Sequence, residues 1–522
     1  MAEFVAILDF GGQYTQLIAR RVRENRVYCE ILRHDTPASK LHEHDLKGVI
    51  LSGGPAGVYE EGAPRCDPEI FHLGVPVLGI CYGMQLGAQV LGGKVVASST
   101  REFGATAVDI TRDDPLFRGV KAHTLVWMSH GDQVRDLTPD LTTLASTATC
   151  PHAAILHHPT GFRGIQFHPE VTHTVEGRTI INNFLYLICS CRGDWSLTRF
   201  IEEETEHVRR RVGDAHVICA LSGGVDSSVV ALLLHRAIPR QLHCFFVDNG
   251  LLRSGERDQV INTFERHFGL DFHLIDAADR FVEALQGVLD PEEKRKCIGR
   301  LFIDVFKEAV SRFDHAADPA RGRAGFKFLA QGTLYPDVIE SLSPTGGPSA
   351  TIKSHHNVGG LPEDLGFELL EPLRYLFKDE VRIIGRELGL PDQILYRQPF
   401  PGPGLAIRVV GEVTPARIGM VREADSIVQE ELARFDTYRA LWQSFAVLLP
   451  VQSVGVMGDK RTYENVVALR IVESTDGMTA NWVYLPREVL SRISSRIANE
   501  VAGVNRVVLD ISSKPPSTIE WE

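Results

Sequence analysis

The stretch Val77-Leu78-Gly79-Ile80-Cys81-Tyr82-Gly83-Met84-Gln85 joins an apolar run to a helical run through a turn flanked by glycines. This pattern is typical of a nucleophile elbow, with cysteine in place of the usual serine. Small residues on both sides permit the strained turn, and the free amides at the helix start favour a thiolate at Cys81. The stretch therefore predicts an α/β fold with a cysteine nucleophile at a strand end. The alternative is a core cysteine on a glycine-rich turn.

Short apolar runs alternate with helical patterns around this elbow, over about the first 190 residues. We expect them to form buried strands of an α/β sheet, because helical stretches separate them. The predicted strands are Val5–Leu8, Gly48–Leu51, Val75–Ile80 and Gly164–Phe167.

Two further motifs supply groups that a cysteine nucleophile needs. Phe167-His168-Pro169-Glu170 follows an apolar run, and there His168 can take the thiol proton while Glu170 orients the imidazole. Ile50-Leu51-Ser52-Gly53-Gly54-Pro55 ends a strand in a glycine turn, whose amides could face a developing oxyanion together with the Tyr82 amide. Each motif alone is also compatible with a structural histidine or an ordinary turn.

The three motifs, in the chain order Ser-Gly-Gly-Pro, Gly-Ile-Cys-Tyr-Gly-Met-Gln and His-Pro-Glu, resemble the class I (triad) glutamine amidotransferase family over about the first 190 residues. This resemblance implies that glutamine is the ammonia donor and that Cys81, His168 and Glu170 form the triad. It also implies that Gly54 and Tyr82 line the oxyanion hole, that Gln85 lies in the glutamine pocket and that Asp132 faces the glutamine amino group. His130 is interpreted as a structural residue.

A second strand-turn-helix pattern begins at residue 216, where a strand to Leu221 leads into Ser222-Gly223-Gly224-Val225-Asp226-Ser227-Ser228 and a helix through Ile238. A strand at Leu242–Val247 completes a βαβ unit. The loop lacks the Gly-Lys-Ser/Thr ending of a Walker A motif, but its glycine amides, hydroxyls and helix start suit an anion.

The loop resembles the N-type ATP pyrophosphatases, which cleave ATP at the α-phosphate. The resemblance implies that ATP is bound by the seven residues of the loop, and that adenine or ribose lies where the next strand ends, near Val247. The seven loop residues are Ser222, Gly223, Gly224, Val225, Asp226, Ser227 and Ser228.

Carboxylates downstream are candidates for Mg²⁺ between the phosphates. Asp337 and Glu340 have helical i, i+3 spacing beside a glycine- and proline-rich stretch, and Asp226 of the loop is a third candidate. A solvated helix face is the alternative for the acidic pair. The following polar segment is expected to form a lid over the nucleotide, in which Lys353 contacts phosphate. His355 and His356 in this segment are adjacent and lack the i, i+4 spacing of a zinc-binding helix.

The tail Lys514-Pro515-Pro516-Ser517-Thr518-Ile519-Glu520-Trp521-Glu522 combines a lysine, stiffening prolines, a hydroxyl and acids, which suits a phosphate-bearing purine; a frayed terminus is the alternative. Almost the whole chain resembles the amidotransferases that aminate the purine nucleotide XMP. The resemblance implies a homodimer through the C-terminal domain, and an XMP site formed by Arg300, Gln452, Lys514, Ile519 and Glu520.

Bulk properties favour a multidomain globular protein without nucleic-acid or membrane partners. The chain has 522 residues and a net charge of -12, with no long basic run, and no apolar segment reaches the length of a membrane span. Nine irregularly spaced cysteines and the absence of a basic leader indicate a reduced, cytoplasmic protein.

The predicted fold class is α/β, with two open-sheet α/β domains and a small α+β C-terminal domain. A polar linker at 191–196, before a charged helix at Leu197–Val212, and a Pro-Gly break at 399–404 give the boundaries. The predicted domains are 1–192 for the amidotransferase, 193–398 for the ATP pyrophosphatase and 399–522 for dimerisation and XMP binding.

Two other functions remain open at this point. A different ligase with the same pyrophosphatase loop, such as NAD synthetase, usually carries a nitrilase-type glutaminase with Glu and Lys beside the cysteine, whereas this chain has His-Pro-Glu. A nucleotide-binding regulator without catalysis is the non-enzymatic alternative, and measurable turnover would exclude it.

Overall fold

The computed structural model describes residues 3–41, 45–316, 326–341, 366–435, 440–457, 459–474, 477 and 479–522, without the side chains of residues 99, 314–316, 340, 341 and 457. The chain divides into two compact units. The first comprises residues 1–200 with 334–354, and the second comprises residues 201–333 with 355–522. The division into domains at residues 192 and 398 stays a prediction.

The first unit is built on one mixed sheet. Its strands are β1 Glu3–Asp9, β2 Tyr28–Arg33, β3 Asp45–Leu51, β4 Val77–Ile80, β5 Lys94–Ile110, β6 His123–Asp136, β7 Leu141–Ser146, β8 Ala154–His157 and β9 Arg163–Ile165. The described strands are ordered β2-β1-β3-β4-β9-β8-β7-β5-β6. From β2 to β9 neighbours are parallel, and from β9 to β6 they are antiparallel. The central strands are apolar along their length because both faces are covered.

Helices of the first unit are α1 Thr15–Glu24, α2 Ala38–Leu41, α3 Tyr82–Val90, α4 Gly177–Asn183 and α10 Tyr335–Ser341, with 3₁₀ turns at Pro68–His72 and Pro115–Phe117 and a π turn at Phe184–Ile188. The helix α5, Leu197–Val212, crosses the boundary between the units, and its bounds confirm the charged helix predicted from sequence. Strand β4 is buried at every position, so the elbow at its end is held by a rigid support.

The second unit contains a parallel sheet with the strands β10 His216–Leu221, β11 Leu242–Asp248, β12 Phe272–Asp276, β13 Phe326–Ala330 and β14 Glu368–Leu370. Their order is β12-β11-β10-β13-β14. The helices are α6 Val225–Ala237, α7 Glu256–Val260 with a π turn at Ile261–His267, α8 Ala278–Ala284, α9 Pro291–Ala316, α11 Lys378–Glu387 and α12 Asp392–Leu395. The βαβ opening predicted from residue 216 is therefore confirmed.

The same unit carries a second, smaller sheet. Its strands are β15 Gln443–Met457, β16 Lys460–Glu473, β17 Asn481–Trp482 and β18 Val504–Leu509; a 3₁₀ turn at Gly404–Arg408 precedes it, and the helices α13 Pro415–Ala433 and α14 Arg487–Glu500 belong with it. One hydrophobic core runs from Val247 and Phe281 through Leu405 to Leu469 and Ile493, so both sheets of this unit share buried apolar contacts. In the part of the chain that the structure describes, none of the helices has the length and apolar character that a membrane crossing requires.

Candidate active site

Cys81 occupies the strained turn between β4 and α3. Its φ is 52° and its ψ is -107°, a backbone conformation that non-glycine residues rarely adopt. A Cβ added to Gly79 would lie 2.5 Å from the Gly83 carbonyl oxygen, and one added to Gly83 would lie 2.3 Å from the Leu51 carbonyl oxygen. Only glycine fits at both flanks, so the sequence pattern and the elbow geometry agree.

His168 and Glu170 stand beside this cysteine. Nδ1 of His168 lies 2.8 Å from Oε1 of Glu170, and both side chains are buried, with Glu170 wholly inaccessible. Burial opposes protonation of His168, but its hydrogen bonds with Cys81 and Glu170 outweigh that effect and raise its pKa to about 10. The structure thus brings the three predicted triad residues together, in the order thiol, imidazole, carboxylate.

The glycine turn after β3 forms one wall of the site. A Cβ on Gly53 would lie 3.2 Å from Cε1 of His168 and 3.8 Å from Cβ of Cys81. A Cβ on Gly54 would lie 2.8 Å from the Phe10 carbonyl oxygen and 3.2 Å from Cγ of Tyr82. The glycine turn therefore lies against the imidazole and near the thiol, and at Gly54 a side chain would clash with the Phe10 backbone. Its role as an oxyanion hole stays a prediction.

The predicted glutamine pocket contains Gln85, Asp132 and a residue that the sequence reasoning missed. Nε2 of Gln85 donates to the Asp132 carbonyl oxygen at 2.9 Å and to Oε1 of Gln166 at 3.2 Å. The Asp132 carboxylate accepts from the Tyr59 hydroxyl at 3.0 Å. Gln166 is fully buried, and its Nε2 donates to Sγ of Cys81 at 3.6 Å. Its position two residues before His168 was the available signal.

His130 is buried and held by two close contacts, which fit the structural role expected from the sequence. Its Nδ1 lies 2.9 Å from the Asp132 carbonyl oxygen, and its Nε2 lies 2.9 Å from Oε2 of Glu102. Both ring nitrogens are thus occupied, and His130 holds the backbone that carries Asp132.

In the second unit, the loop Ser222–Ser228 runs from the carboxyl end of β10 into α6. Gly223 has a φ of 71°, which allows the tight turn. Oγ of Ser222 and Oγ of Ser227 are 2.9 Å apart, and the Ser228 hydroxyl donates to the Gly224 carbonyl oxygen at 2.6 Å. The hydroxyls therefore cluster at the amino end of a 13-residue helix, whose dipole favours an anion there.

Two cations that the sequence reasoning missed border this loop. Nζ of Lys378, in the first turn of α11, contacts both carboxylate oxygens of Asp226 at 2.5 and 2.6 Å. Arg397 donates to the Gly223 carbonyl oxygen at 3.0 Å and to Oε1 of Glu256 at 2.6 Å. Lys378 is 152 residues from Asp226 along the chain, so no local pattern could connect the two.

A cavity of about 660 Å³ opens beyond the carboxyl end of β11. Val247 is buried within the strand, and the following Asp248, which lines the cavity, accepts from the Gly250 amide at 2.9 Å and pairs with Arg257 at 3.1 Å. Ligands of open parallel sheets bind at this edge. The residues that line this cavity include neither Val247 nor the loop Ser222–Ser228, so the position of adenine or ribose stays a prediction.

The structure describes only some of the residues that were predicted to bind magnesium or to form the lid. Asp337 lies in the first turn of α10 and accepts from the Leu334 amide at 3.0 Å, and it belongs to the first compact unit. Glu340 lies in the same helix and is described in its backbone only, while Lys353 lies outside the described residues. Their roles stay predictions.

Three of the five predicted XMP residues lie on one ordered tail. Lys514 donates through Nζ to the Gly477 carbonyl oxygen at 2.7 Å, and Ile519 is buried in an apolar cluster. Oε1 of Glu520 accepts from the buried Arg408 at 3.2 Å. Because Arg470 also donates to the Ser512, Thr518 and Ile519 carbonyl oxygens, the tail is a packed element and not a frayed end.

The other two XMP candidates lie on different elements. Arg300 projects from α9 and lines a cavity of about 510 Å³. Gln452 is exposed on β15, in register with Asn465 of β16. Five residues predicted from a resemblance thus fall on a tail, a helix and an exposed strand of the same unit.

The fold and the two sites define a class I glutamine amidotransferase joined to an ATP pyrophosphatase. Comparisons with known proteins agree: residues 6–188 match the family model "Glutamine amidotransferase class-I", residues 205–291 match "Asparagine synthase" and residues 430–521 match "GMP synthase C terminal domain".

Full-length relatives carry one common name. The "GMP synthase [glutamine-hydrolyzing]" of Caldanaerobacter subterraneus subsp. tengcongensis is 58% identical over 520 residues, which cover 100% of this chain and 99% of the relative. Proteins of the same name are 54% identical in Thermosynechococcus vestitus, covering 100% of this chain and 96% of the relative, and 55% identical in Thermomicrobium roseum, covering 99% and 96%. The chain therefore belongs to the GMP synthase [glutamine-hydrolyzing] family.

Proposed function

We propose that this chain is an ATP-dependent ligase that converts XMP to GMP with ammonia taken from glutamine, and that it releases AMP, pyrophosphate and glutamate. One observation carries the proposal: a single chain holds the Cys81–His168–Glu170 arrangement and a pyrophosphatase-type loop at Ser222–Ser228. Membership in the family supports XMP as the acceptor.

Glutamine hydrolysis is assigned to the first unit. Cys81 attacks the side-chain amide of glutamine, and the tetrahedral oxyanion is stabilised by backbone amides of the glycine turn and of Tyr82. His168 gives its proton to the leaving ammonia, and Glu170 keeps the imidazole oriented. Water then releases glutamate. The raised pKa of His168 supports this role, because a protonated imidazole is available as the acid.

XMP activation is assigned to the second unit. The C2 oxygen of XMP attacks the α-phosphate of ATP, pyrophosphate leaves from the loop Ser222–Ser228, and an adenyl-XMP intermediate forms. Ammonia then displaces AMP to give GMP. The loop supports this assignment through its hydroxyl cluster and the helix dipole, which favour a pyrophosphate leaving group.

Mg²⁺ is the implied metal, and the oxygen-rich donor set fits it. The Asp226 carboxylate already faces a cation, because Nζ of Lys378 contacts both of its oxygens. Asp226 is the candidate in the second unit that would help to hold the metal, and Asp337 and Glu340 stay separate candidates from the sequence. When bound, Mg²⁺ would neutralise the charge on the departing pyrophosphate.

XMP binding is assigned to Arg300, Gln452, Lys514, Ile519 and Glu520, and a lid contact to Lys353.

The proposal also includes a homodimer that forms through the C-terminal sheet. The exposed side chains of Val451, Val454, Val456 and Tyr463 on β15 and β16 support it, since monomers seldom leave such a row of large apolar groups in water. Gln452, in the same stretch, would then lie at the dimer interface.

A cytoplasmic location without nucleic-acid partners completes the proposal. The nine cysteines, none of them in a disulfide, support a reducing compartment, and the net charge of -12 disfavours a polyanion as a partner.

The test is a Cys81→Ala variant assayed with glutamine and, in parallel, with ammonium as the nitrogen source. We expect glutamine-driven GMP synthesis to fall by about three orders of magnitude or more, because the nucleophile is gone, while ammonium-driven synthesis continues. Cys66→Ala, at another buried cysteine of the same unit, is the matched control and keeps both activities. Loss of both activities in Cys81→Ala would contradict the division of labour between the units.

A further inference from the structure

A cluster of histidines and one aspartate lies at the amino end of the parallel sheet in the second unit. His216 is the first residue of β10, His243 is the second of β11, Asp271 directly precedes β12 and His273 is its second residue. The pyrophosphatase loop follows the opposite end of β10. Six residues of strand separate the two ends, which corresponds to roughly 20 Å. The cluster is therefore independent of the nucleotide chemistry.

The contacts within the cluster are close, but they are not aligned as hydrogen bonds. Nδ1 of His243 lies 2.7 Å from Oδ2 of Asp271, and Nε2 of His273 lies 3.1 Å from Oδ1 of the same carboxylate. Both nitrogens are buried and, among the described residues, neither has a hydrogen-bond partner. Two imidazole nitrogens thus converge on one carboxylate without the geometry that an N–H donor prefers.

Such convergence suits a metal ion better than a proton. The three ligand atoms lie within 4.8 Å of one another. Ligand atoms around a tetrahedral zinc ion, at bond lengths near 2.1 Å, are about 3.4 Å apart, so small shifts would seat an ion between them.

The surroundings of the cluster position one of its histidines and leave the cluster open to solvent. Nε2 of His243 lies 2.8 Å from Nδ1 of His216, so the nitrogen that points away from the carboxylate is already engaged. Metal-bound histidines commonly use their second nitrogen in this way, which fixes the ring orientation. The Asp271 side chain is 46% exposed, which leaves a path for an ion and a position for water.

We propose that His243, Asp271 and His273 bind one divalent transition-metal ion of the zinc class, with His216 orienting His243. Two imidazoles and one carboxylate favour zinc-class ions over Mg²⁺, which prefers oxygen ligands alone. The ion would join the starts of β11 and β12 and would stabilise this end of the sheet. It would take no part in catalysis.

The test uses the full chain, freed of metal by a chelator and then titrated with Co²⁺, whose visible spectrum reports its ligands. We expect one equivalent to give d–d absorption without a thiolate charge-transfer band. A thiolate band would instead indicate binding at Glu102, His130 and Cys150, the other group of metal-ligating residues in the described part of the chain, and would overturn the proposal.

Variants separate this site from adventitious binding. His273→Ala and Asp271→Asn should lose the Co²⁺ spectrum, and His216→Ala should weaken binding by about 10- to 100-fold. The exposed His267→Ala is the matched control and should bind as the wild type does. Ammonium-driven GMP synthesis, unchanged in Asp271→Asn, shows that the variant is folded.

Thermal unfolding gives an independent readout. Zn²⁺ should raise the unfolding midpoint of the wild type and of His267→Ala, but not that of Asp271→Asn. Equal binding or equal stabilisation in the wild type and in Asp271→Asn would overturn the proposal, as would no binding to the wild type.

Discussion

Gln166→Leu tests a residue near the thiol that sequence motifs did not reveal. The change keeps a buried side chain of similar volume but removes the N–H that Gln166 directs at Sγ of Cys81, 3.6 Å away. It also removes one acceptor of Gln85, which keeps its 2.9 Å hydrogen bond to the Asp132 carbonyl oxygen. The glutamine pocket should therefore retain its shape.

The expected loss follows from the charge on the sulfur. A hydrogen bond to a charged group contributes about 1.5–3 kcal/mol. Since about 1.4 kcal/mol corresponds to a factor of ten, glutamine-dependent kcat/KM should fall by about 10- to 150-fold. The lost hydrogen bond affects only the attack of the Cys81 sulfur on glutamine. Ammonium-driven synthesis does not use that step, so its rate should not change.

The assay measures glutamate and GMP formation at saturating XMP and Mg·ATP, with glutamine and with ammonium in parallel. Gln89→Leu, on α3 of the same unit, is the matched control and should behave as the wild type. A glutamine-dependent rate within twofold of the wild type would refute the role assigned to Gln166. An equal fall with ammonium would show a folding defect instead.

The remaining predictions concern the synthetase loop, the triad carboxylate and the tail. Lys378→Met removes the cation held against the pyrophosphatase loop, so GMP synthesis should fall about tenfold or more with either nitrogen source; a loss confined to glutamine would contradict this. The hydrogen bonds of His168 with Cys81 and Glu170 together raise its pKa to about 10, and Glu170→Gln weakens the second of them. The interactions that raise the pKa of His168 stabilise the fold fully at pH values below its ordinary pKa of 6.5. This contribution to stability is lost as the pH rises through about 10. The difference in unfolding midpoint between wild type and Glu170→Gln should therefore be larger near about pH 6 than near about pH 9.5, and a constant difference would be inconsistent with this linkage. Glu520→Ala leaves a buried arginine short of a partner, so it should lower the unfolding midpoint and raise the KM for XMP; an unchanged KM would remove Glu520 from the XMP site.

Local sequence patterns were sufficient to predict the structure where residues close in sequence determine the backbone conformation. The elbow at Cys81 needs glycines at fixed offsets, and short apolar runs mark where strands lie, so the elbow and the presence of these strands were predictable. The bounds were less so: the predicted strand Gly164–Phe167 is observed as Arg163–Ile165. His216–Leu221 was predicted at its observed bounds. The pairing of His168 with Glu170 also follows from a two-residue spacing.

Long-range contacts between side chains were not predictable from the sequence. Lys378 meets Asp226 only because α11 packs on α6, and no periodicity reports which helices are neighbours. Gln166 resembles any polar residue at a strand end until the elbow is placed beside it. The histidine cluster at the start of β11 and β12 depends on parallel strand order, which the sequence pattern leaves open.

The division of nitrogen and phosphate chemistry between two sites is tested most directly by one stoichiometric assay. Purified protein is incubated with Mg·ATP, XMP and glutamine, and GMP, AMP, pyrophosphate and glutamate are quantified together. The account predicts that GMP, AMP and pyrophosphate accumulate in equal amounts, since ATP is cleaved at its α-phosphate. Accumulation of ADP and orthophosphate, or ATP consumption without GMP, would contradict it.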